Sequence, residues 1–255
     1  MTHYAFISDV HSNREALEAV FAEIDALGIK QVWCLGDVIG YGPDPEFCAD
    51  MVRARCVKTV RGNHDEALFA GAEHFNHFAQ AALRFTKARL RPGPNATDVD
   101  RERWEWLRSL PLSVRHGSLL FVHGSPRDPV NEYVYPDDPD IIHGRKLAQI
   151  LDLVDLAAFC GHTHVPCVLR SDNRAFEPCD DSNELPLVAP FRHIVNVGSV
   201  GQPRDGDPRA SWVELKGDTV VFHRTVYPVA ITQEKIRSHA PHLAELLAAR
   251  LSEGQ

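Results

Sequence analysis

The stretch HYAFISDVHSNREALEAVFAEIDALGI, residues 3–29, sets the fold. HYAFISDV (3–10) is an apolar run that reads as a buried strand. SNREALEAVFAEIDALGI (12–29) reads as an amphipathic helix. Its apolar positions Leu17, Val20, Phe21, Ile24 and Leu27 recur at helical spacing, and Gly28 stands where a C-terminal glycine belongs. The pattern then repeats, with KQVWCLGDVI (30–39) as strand, PEFCADMVRAR (45–55) as helix and CVKTVRGN (56–63) as strand. Alternation of this kind predicts right-handed crossovers and a mostly parallel sheet.

Residues 66–90 read as helical, RPGPNATD (91–98) as a loop and RERWEWLRSLP (101–111) as a short helix. Strands dominate afterwards: SVRH (113–116), SLLFVHG (118–124), LAAFCGH (156–162), PCVLRS (166–171), HIVNVGS (193–199) and SWVELKGDTVVFHRTVY (211–227). Lys216-Gly217-Asp218 is a hairpin turn inside the last of these. A polar, acidic insertion near 171–190 and an outer C-terminal helix near 232–251 complete a single domain over residues 1–255. No internal repeat or linker divides the chain.

The composition excludes several classes. A chain of 255 residues, 44% hydrophobic and 24% charged, can bury a sizeable core. Its formal charge of −8, with no dense Lys/Arg run, argues against general nucleic-acid binding. No apolar run approaches the roughly 18 residues of a membrane span, and the first ten residues do not read as a signal peptide. The six cysteines form no CxxC pair and several lie in apolar strands, so buried reduced thiols in a cytoplasmic protein are expected.

The core strands end in potential metal ligands. The first ends in Asp9 and His11, the second in Asp37 and the third in Asn63, His64 and Asp65. Later strands end in His123 and in His162 and His164. C-terminal strand ends of open α/β sheets converge on one crevice, so these segments can meet there. Alternation along an extended segment would put Asp9 and His11 on one side, and likewise His162 with His164. Imidazoles, carboxylates and one amide oxygen suit Mn, Fe, Co, Ni or Zn better than Ca or Mg. Seven ligands are too many for one such ion and suit two ions sharing a carboxylate. A single histidine is more often structural, and Gly-Asp or Gly-Asn alone is an ordinary turn. Five such segments, with His recurring beside the turn residues, outweigh that reading.

Together D-x-H (9–11), G-D (36–37), G-N-H-D (62–65), H-G (123–124) and G-H-T-H (161–164) resemble the calcineurin-like metallophosphoesterase superfamily. GDVIGYGPDP and NVGSVGQPRDGDPRASW look most like its small bacterial phosphodiesterase branch. The resemblance implies a four-layer α/β/β/α sandwich with two divalent transition-metal ions, manganese foremost, at its mouth. It implies that Asp9, His11, Asp37 and His164 hold one ion. Asp37, Asn63, His123 and His162 would hold the other, with Asp37 bridging and His64 free as an acid or phosphoryl binder. Protein phosphatases of the superfamily carry Asp-Arg-Gly where this chain has GDVIGYG, and Glu where it has Asp65.

The expected activity is hydrolysis of a small or nucleotide-like phosphate ester, most readily a diester. A dinucleoside polyphosphatase, a protein phosphatase and a non-catalytic scaffold are the alternatives. Two divalent ions outweigh two carboxylates in charge, so the pocket attracts phosphate within an acidic protein, and such ions lower the pKa of water towards neutrality. His64 is the expected proton donor to the leaving oxygen, and Asp65 the residue that orients His64 or its loop. Tyr41 is a candidate to stack on a base, or alternatively packs on Pro43 or Pro45. Arg204 is a candidate phosphate contact, or alternatively pairs with Asp205 or Asp207. His74, His77 and the aromatics of 69–85 form a helix with core-facing Phe side chains rather than a lid. His116, His143, His193, His223 and His239 are expected to be structural or surface residues.

Overall fold

The computed structural model describes residues 3–142, 145–239 and 244–255. The first half runs β1 (His3–Ile7), α1 (Arg14–Ala26), β2 (Gln31–Cys34), α2 (Pro45–Arg55), β3 (Lys58–Thr59), α3 (Asn63–Ala70), α4 (His77–Leu90) and α5 (Asp98–Ser109). It continues through β4 (Ser113–His116), β5 (Leu119–Val122), α6 (Pro139–Ile142), α7 (Arg145–Leu151), β6 (Ala157–Cys160) and β7 (Cys167–Arg170). Then come β8 (Ala175–Phe176), β9 (Glu184–Pro186), β10 (His193–Asn196), β11 (Ala210–Lys216), β12 (Thr219–Thr225), α8 (Val229–His239) and α9 (Ala244–Glu253).

The strands form two mixed sheets, in the orders β3-β2-β1-β11-β12-β9 and β4-β5-β6-β10-β7-β8. Only part of each is parallel. β1 pairs parallel with β2 and β2 with β3, but β1 meets β11 antiparallel and β11 turns back into β12 through Gly217-Asp218. The βαβ units predict the parallel half; the later hairpins add the antiparallel half.

Alternation along the strands assigns the layers. Phe6, Phe121, Phe159 and Val195 point between the sheets, where Phe6 stacks on Phe159 with ring centroids 4.1 Å apart. Ala5 and Ile7, their neighbours on β1, face α1, α2 and α5 through Leu17, Phe21, Val52 and Leu107. Leu120, Val122, Ala158 and Cys160 face the other way, against Leu147, Ile150 and Leu151 of α7. Helices thus cover both outer faces, and the fold is the α/β/β/α sandwich.

Three local expectations change. Residues 66–90 form two helices rather than one, because Gly71 leaves α3 at φ +103° and Asn76 caps α4 by accepting from Ala79 N. The third strand is only two residues long. In place of one C-terminal helix there are two, α8 and α9, whose Ile236, Leu247 and Leu251 cluster with Tyr41 and Ala81. The 171–190 segment carries β8, β9 and a bridge between Cys179 and Ser182. No described helix is long and apolar enough to cross a membrane.

Candidate metal centre

The ligand-bearing segments begin where strands stop. β1 ends at Ile7, β2 at Cys34 and β6 at Cys160, and the residues beyond are not extended. Asp9 (φ 52°), His11 (47°), Asp37 (51°), His162 (67°) and His164 (63°) all adopt left-handed backbone. The expected two-residue alternation is therefore not how these side chains come to share a side. Tight left-handed turns aim them inward, at about 1–3 kcal/mol of strain per non-glycine residue, a cost that clusters at functional sites. Hydrogen bonds between loops hold the turns: Asp9 N to Gly36 O, His11 N to Asp37 O, Gly201 N to Asp9 O.

Two glycines permit the approach. A Cβ on Gly62 would lie 2.0 Å from Asp37 Oδ1, and one on Gly161 would lie 2.2 Å from Asp9 Oδ2. The carboxylates occupy the space that side chains would need.

The imidazoles are set by their partners. His11 Nδ1 donates to Ile39 O at 3.2 Å, His123 Nδ1 to Leu35 O at 2.9 Å and His164 Nδ1 to Gln202 O. Each therefore turns Nε2 inward, the arrangement that fixes a metal-binding tautomer. His162 is reversed: its Nε2 donates to Asn131 O at 3.2 Å, which leaves Nδ1 for the site. His162 N donates to Asp9 Oδ2 at 3.0 Å, and His64 N donates to Asp37 Oδ1 at 2.8 Å.

The remaining donor atoms converge. His11 Nε2 lies 3.1 Å from His164 Nε2, and both must present lone pairs there. Asp9 Oδ1 is buried without a hydrogen-bond donor, 3.1 Å from His164 Nε2 and 3.7 Å from His11 Nε2. Asp37 Oδ2 sits between the two halves, 3.6 Å from His11 Nε2 and 3.5 Å from His123 Nε2. His123 Nε2 lies 3.1 Å from Asn63 Oδ1, and its ring centroid is 4.8 Å from that of His162. Donor atoms of Asp9, His11 and His164, of Asp9, Asp37 and His123, and of His11, Asp37 and His64 each fall within 4.8 Å of one another. Among the described residues no Lys or Arg pairs with these buried lone pairs and carboxylate oxygens, and a divalent ion is the species that fits them.

Electrostatics agree. Burial pushes Asp9 and Asp37 up, but His164 beside the first and His123 beside the second more than reverse it, and both carboxylates lie below their usual range. Burial holds His11 and His164 below the ordinary imidazole value and His162 down to about 3. His123 is the exception. Burial pushes it down, but the charge and hydrogen bond of Asp37 lift it to about 9. A proton on His123 Nε2 then stands where a cation would.

His64 lines the cavity above these groups, boxed by Tyr41, Phe75 and His11 at ring distances of 4.6, 4.9 and 4.8 Å. Its Nδ1 is buried without a partner, and burial holds it down to about 4. Asp65 does not touch the His64 ring. It accepts from Gly62 N at 3.0 Å and Val38 N at 3.1 Å, tying the Asp37 loop to the start of α3. Burial, then the charge of Asp37, pushes its carboxyl up to about 7.

The cavity, of about 340 Å³, includes Tyr41 and Arg204. Tyr41 is near Arg204, whose guanidinium carbon is 5.8 Å from its ring centroid. Arg204 pairs with neither neighbour considered for it: Asp205 binds Arg224 and Asp207 binds Arg209. His74 and Phe75, between α3 and α4, also line the cavity, so this connection faces the site instead of packing wholly into the core. His116 bonds Tyr4 at 3.0 Å, His193 bonds Leu156 O, and His223 stacks on Trp212 and bonds Glu214. His143 and the side chain of His239 lie outside the described residues. Sequence reasoning missed Tyr133, stacked on His162 at 3.8 Å, and Arg250 from α9. Neither sits in a motif.

Comparison with known proteins accords with this geometry. The calcineurin-like phosphoesterase superfamily domain matches residues 2–218. An uncharacterised protein of Methanocaldococcus jannaschii is 32% identical over 98% of each chain. A symmetrical bis(5'-nucleosyl)-tetraphosphatase of Erwinia tasmaniensis is 35% identical over 109 residues, covering 42% of this chain and 37% of its own. The crystal structure of a metallophosphoesterase from Sphaerobacter thermophilus superposes with a TM-score of 0.83 at 37% identity, over 99% of both chains. The chain belongs to the calcineurin-like phosphoesterase superfamily, a group of hydrolases that generally bind divalent metals.

Proposed function

We propose that the protein hydrolyses phosphodiesters of small or nucleotide-like molecules with two divalent transition-metal ions, manganese foremost. The observation that carries this reading is Asp37 Oδ2 standing 3.6 and 3.5 Å from the inward Nε2 atoms of His11 and His123. One carboxylate oxygen placed between two sets of buried donors is what a bridged pair requires. Asp9, His11, Asp37 and His164 would hold one ion, and Asp37, Asn63, His123 and His162 the other. Ions held there would supply Lewis-acid charge and a nucleophile at neutral pH.

The chain's own residues do the rest. Asp65 holds the Gly62 turn and so keeps Asn63 and His64 in place. His64 stands in the cavity wall; burial holds it down to about 4, so it would take up a proton as the charge of a bound phosphate ester raises it, and would give that proton to the ester oxygen opposite the attacking group. His11, Asp37 and His64 also converge within 4.8 Å, which supports a second reading in which His64 is itself a ligand. Metal content of His64→Ala separates the two, since a ligand's removal costs an ion and an acid's does not.

Diesters are favoured over monoesters because aromatic side chains flank the metal groups on two sides, Tyr41 and Phe75 on one and Tyr133 on the other. Both substituents on phosphorus then have a surface to rest on. The partial likeness to a symmetrical tetraphosphatase supports nucleotide-like substrates and keeps a dinucleoside polyphosphatase as the nearest alternative. The free cysteines, mostly buried, favour a reducing cytoplasmic setting. The test is a manganese-loaded assay of bis(p-nitrophenyl) phosphate beside p-nitrophenyl phosphate. The diester should turn over faster. Turnover of monoesters or phosphopeptides alone, across several metals, would move the protein to the phosphatase branch.

A further inference from the structure

We propose that the C-terminal helices α8 and α9 form a wall of the substrate cavity, and that Arg250 acts with Arg204 to bind a second phosphate on the substrate. This rests on the phosphodiesterase reading and narrows it to esters with another phosphate joined to the reacting one.

Both helices lie beyond residue 218, where the matched superfamily domain ends. They are nonetheless keyed to the metal centre. Thr232 Oγ1 donates to Glu15 Oε2 at 2.7 Å and lies 3.1 Å from Asn13 Oδ1. Asn13 caps α1 two residues after His11 and donates to Gly201 O at 2.9 Å. Lys235 Nζ reaches Asp44 at 2.7 Å and also contacts Glu15. Below these polar contacts, Ile236, Leu247 and Leu251 pack on Tyr41. Leu247 and Leu251 are four residues apart on one face of α9, and Arg250, three residues after Leu247, emerges at the edge of that face.

That edge borders the cavity, and Arg250 is half-buried there. A cation in the last turn of a helix also favours the helix dipole, but that interaction is satisfied in open solvent and does not require the cavity. No carboxylate pairs with Arg250 or Arg204 among the described residues. Arg204 gives one nitrogen to Gln202 Oε1 at 2.8 Å, while its buried Nε has no partner. Elsewhere most buried and half-buried arginines pair with carboxylates, Arg103 with Asp50, Arg209 with Asp207 and Arg224 with Asp205, while Arg61 bonds the Arg108 carbonyl instead. In a chain of net charge −8, two guanidinium groups without carboxylates in one cavity point to an anionic ligand, and the guanidinium fork matches phosphate oxygens. The only carboxylate lining the cavity, among the described residues, is Asp37, which faces the histidines. The reacting phosphoryl group belongs at that end. Arg204, whose N donates to His164 O at 3.3 Å and whose guanidinium carbon is 5.8 Å from the Tyr41 ring, borders it, while Arg250 enters from α9 beyond it, so the pair spans from the reacting group to a second anion. Tyr41 and Tyr133 offer ring faces for a base.

The probes are ADP and AMP, titrated calorimetrically into the manganese-loaded protein. Wild type should bind ADP more tightly, and Arg250→Ala should lower the ratio of ADP to AMP affinity about tenfold or more. Arg250→Lys should restore part of it, and metal content and melting temperature should match wild type. A ratio unchanged in Arg250→Ala, or an equal loss for both nucleotides, would overturn the assignment. Should wild type hydrolyse the aryl diester yet show no preference for ADP, this inference fails alone. Should it hydrolyse no diester and bind neither nucleotide, the functional reading fails with it.

Discussion

On the floor of the cavity Asp9, His11, Asp37 and His164 are each fixed twice, once by left-handed backbone and once by a hydrogen bond from another part of the chain or to a backbone carbonyl. The walls are held more loosely. Tyr133 is 42% exposed, Arg250 rides on the last turn of α9, and Tyr41, although left-handed at φ 46° like the floor residues, is positioned by apolar packing with α8 and α9. A floor needs donor atoms within a few tenths of an ångström of one geometry, because an ion tolerates little else. A wall meets substrates of varied shape and works by surface and charge. The contrast predicts which changes will cost metal and chemistry together and which will cost only substrate affinity.

Stripping the metals tests the floor as a whole and should have the largest effect. Dialysis against a chelator should reduce turnover about a thousandfold or more, several kcal/mol of transition-state stabilisation, and manganese should restore it better than calcium or magnesium. Full activity in the stripped protein would refute a metal-built floor.

His64 lies where floor and wall meet. As a proton donor it should cost something like 10²–10⁴-fold in turnover when replaced by alanine, with both ions retained. The loss should be larger on alkyl or nucleotide esters than on nitrophenyl esters, whose leaving group departs largely unaided. Equal losses on both, with full metal, would leave His64 as a phosphoryl binder.

Gly62→Ala probes the floor through packing. The new Cβ would meet Asp37 Oδ1 at 2.0 Å and Asp37 N at 2.3 Å, so the carboxylate must move. About 1–3 kcal/mol of stability should be lost, read from denaturant unfolding, along with metal affinity. A variant of wild-type stability and metal content would show that the Asp37 loop is softer than described.

The smallest effect belongs to the wall. Burial pushes the Glu15 carboxyl up, but hydrogen bonds from Lys235 and Thr232 more than offset it and leave it below the ordinary value. Its stabilisation is therefore full above about pH 4.3, the unfolded carboxylate value, and lost as pH falls through the lower folded value. Glu15→Gln should cost about 1 kcal/mol at pH 7, and the cost should shrink as pH falls through the folded value. It should raise KM while sparing the metals. Metal loss in this variant would mean that floor and wall are not separable.

The same contrast explains what was legible in the sequence. The alternation of residues 3–63 gives the order β1, α1, β2, α2 and the bounds of α2, because each helix keeps its apolar period, while the expected strands 3–10 and 30–39 run past Ile7 and Cys34 into the ligand-bearing turns. The floor shows in short motifs, since strand ends supply its residues in fixed local patterns. Left-handed backbone at Asp9 and His162 did not show, because Asp and His favour it only weakly and sit far more often in other conformations. Asp65 follows the motif, but its partners, Val38 and Gly62, depend on how two loops meet. Tyr133 and Arg250 were invisible for another reason. They reach the cavity from a long connection and from the end of the chain, and only tertiary packing brings them there.

The central claim is that Asp37 serves two ions and His123 one. Metal content per chain should be measured by mass spectrometry in wild type, Asp37→Ala and His123→Ala, each purified without chelator and reconstituted with manganese. Wild type should hold two ions, His123→Ala close to one, and Asp37→Ala should be impaired at both positions. One ion in wild type, or equal loss in the two variants, would contradict the bridged site.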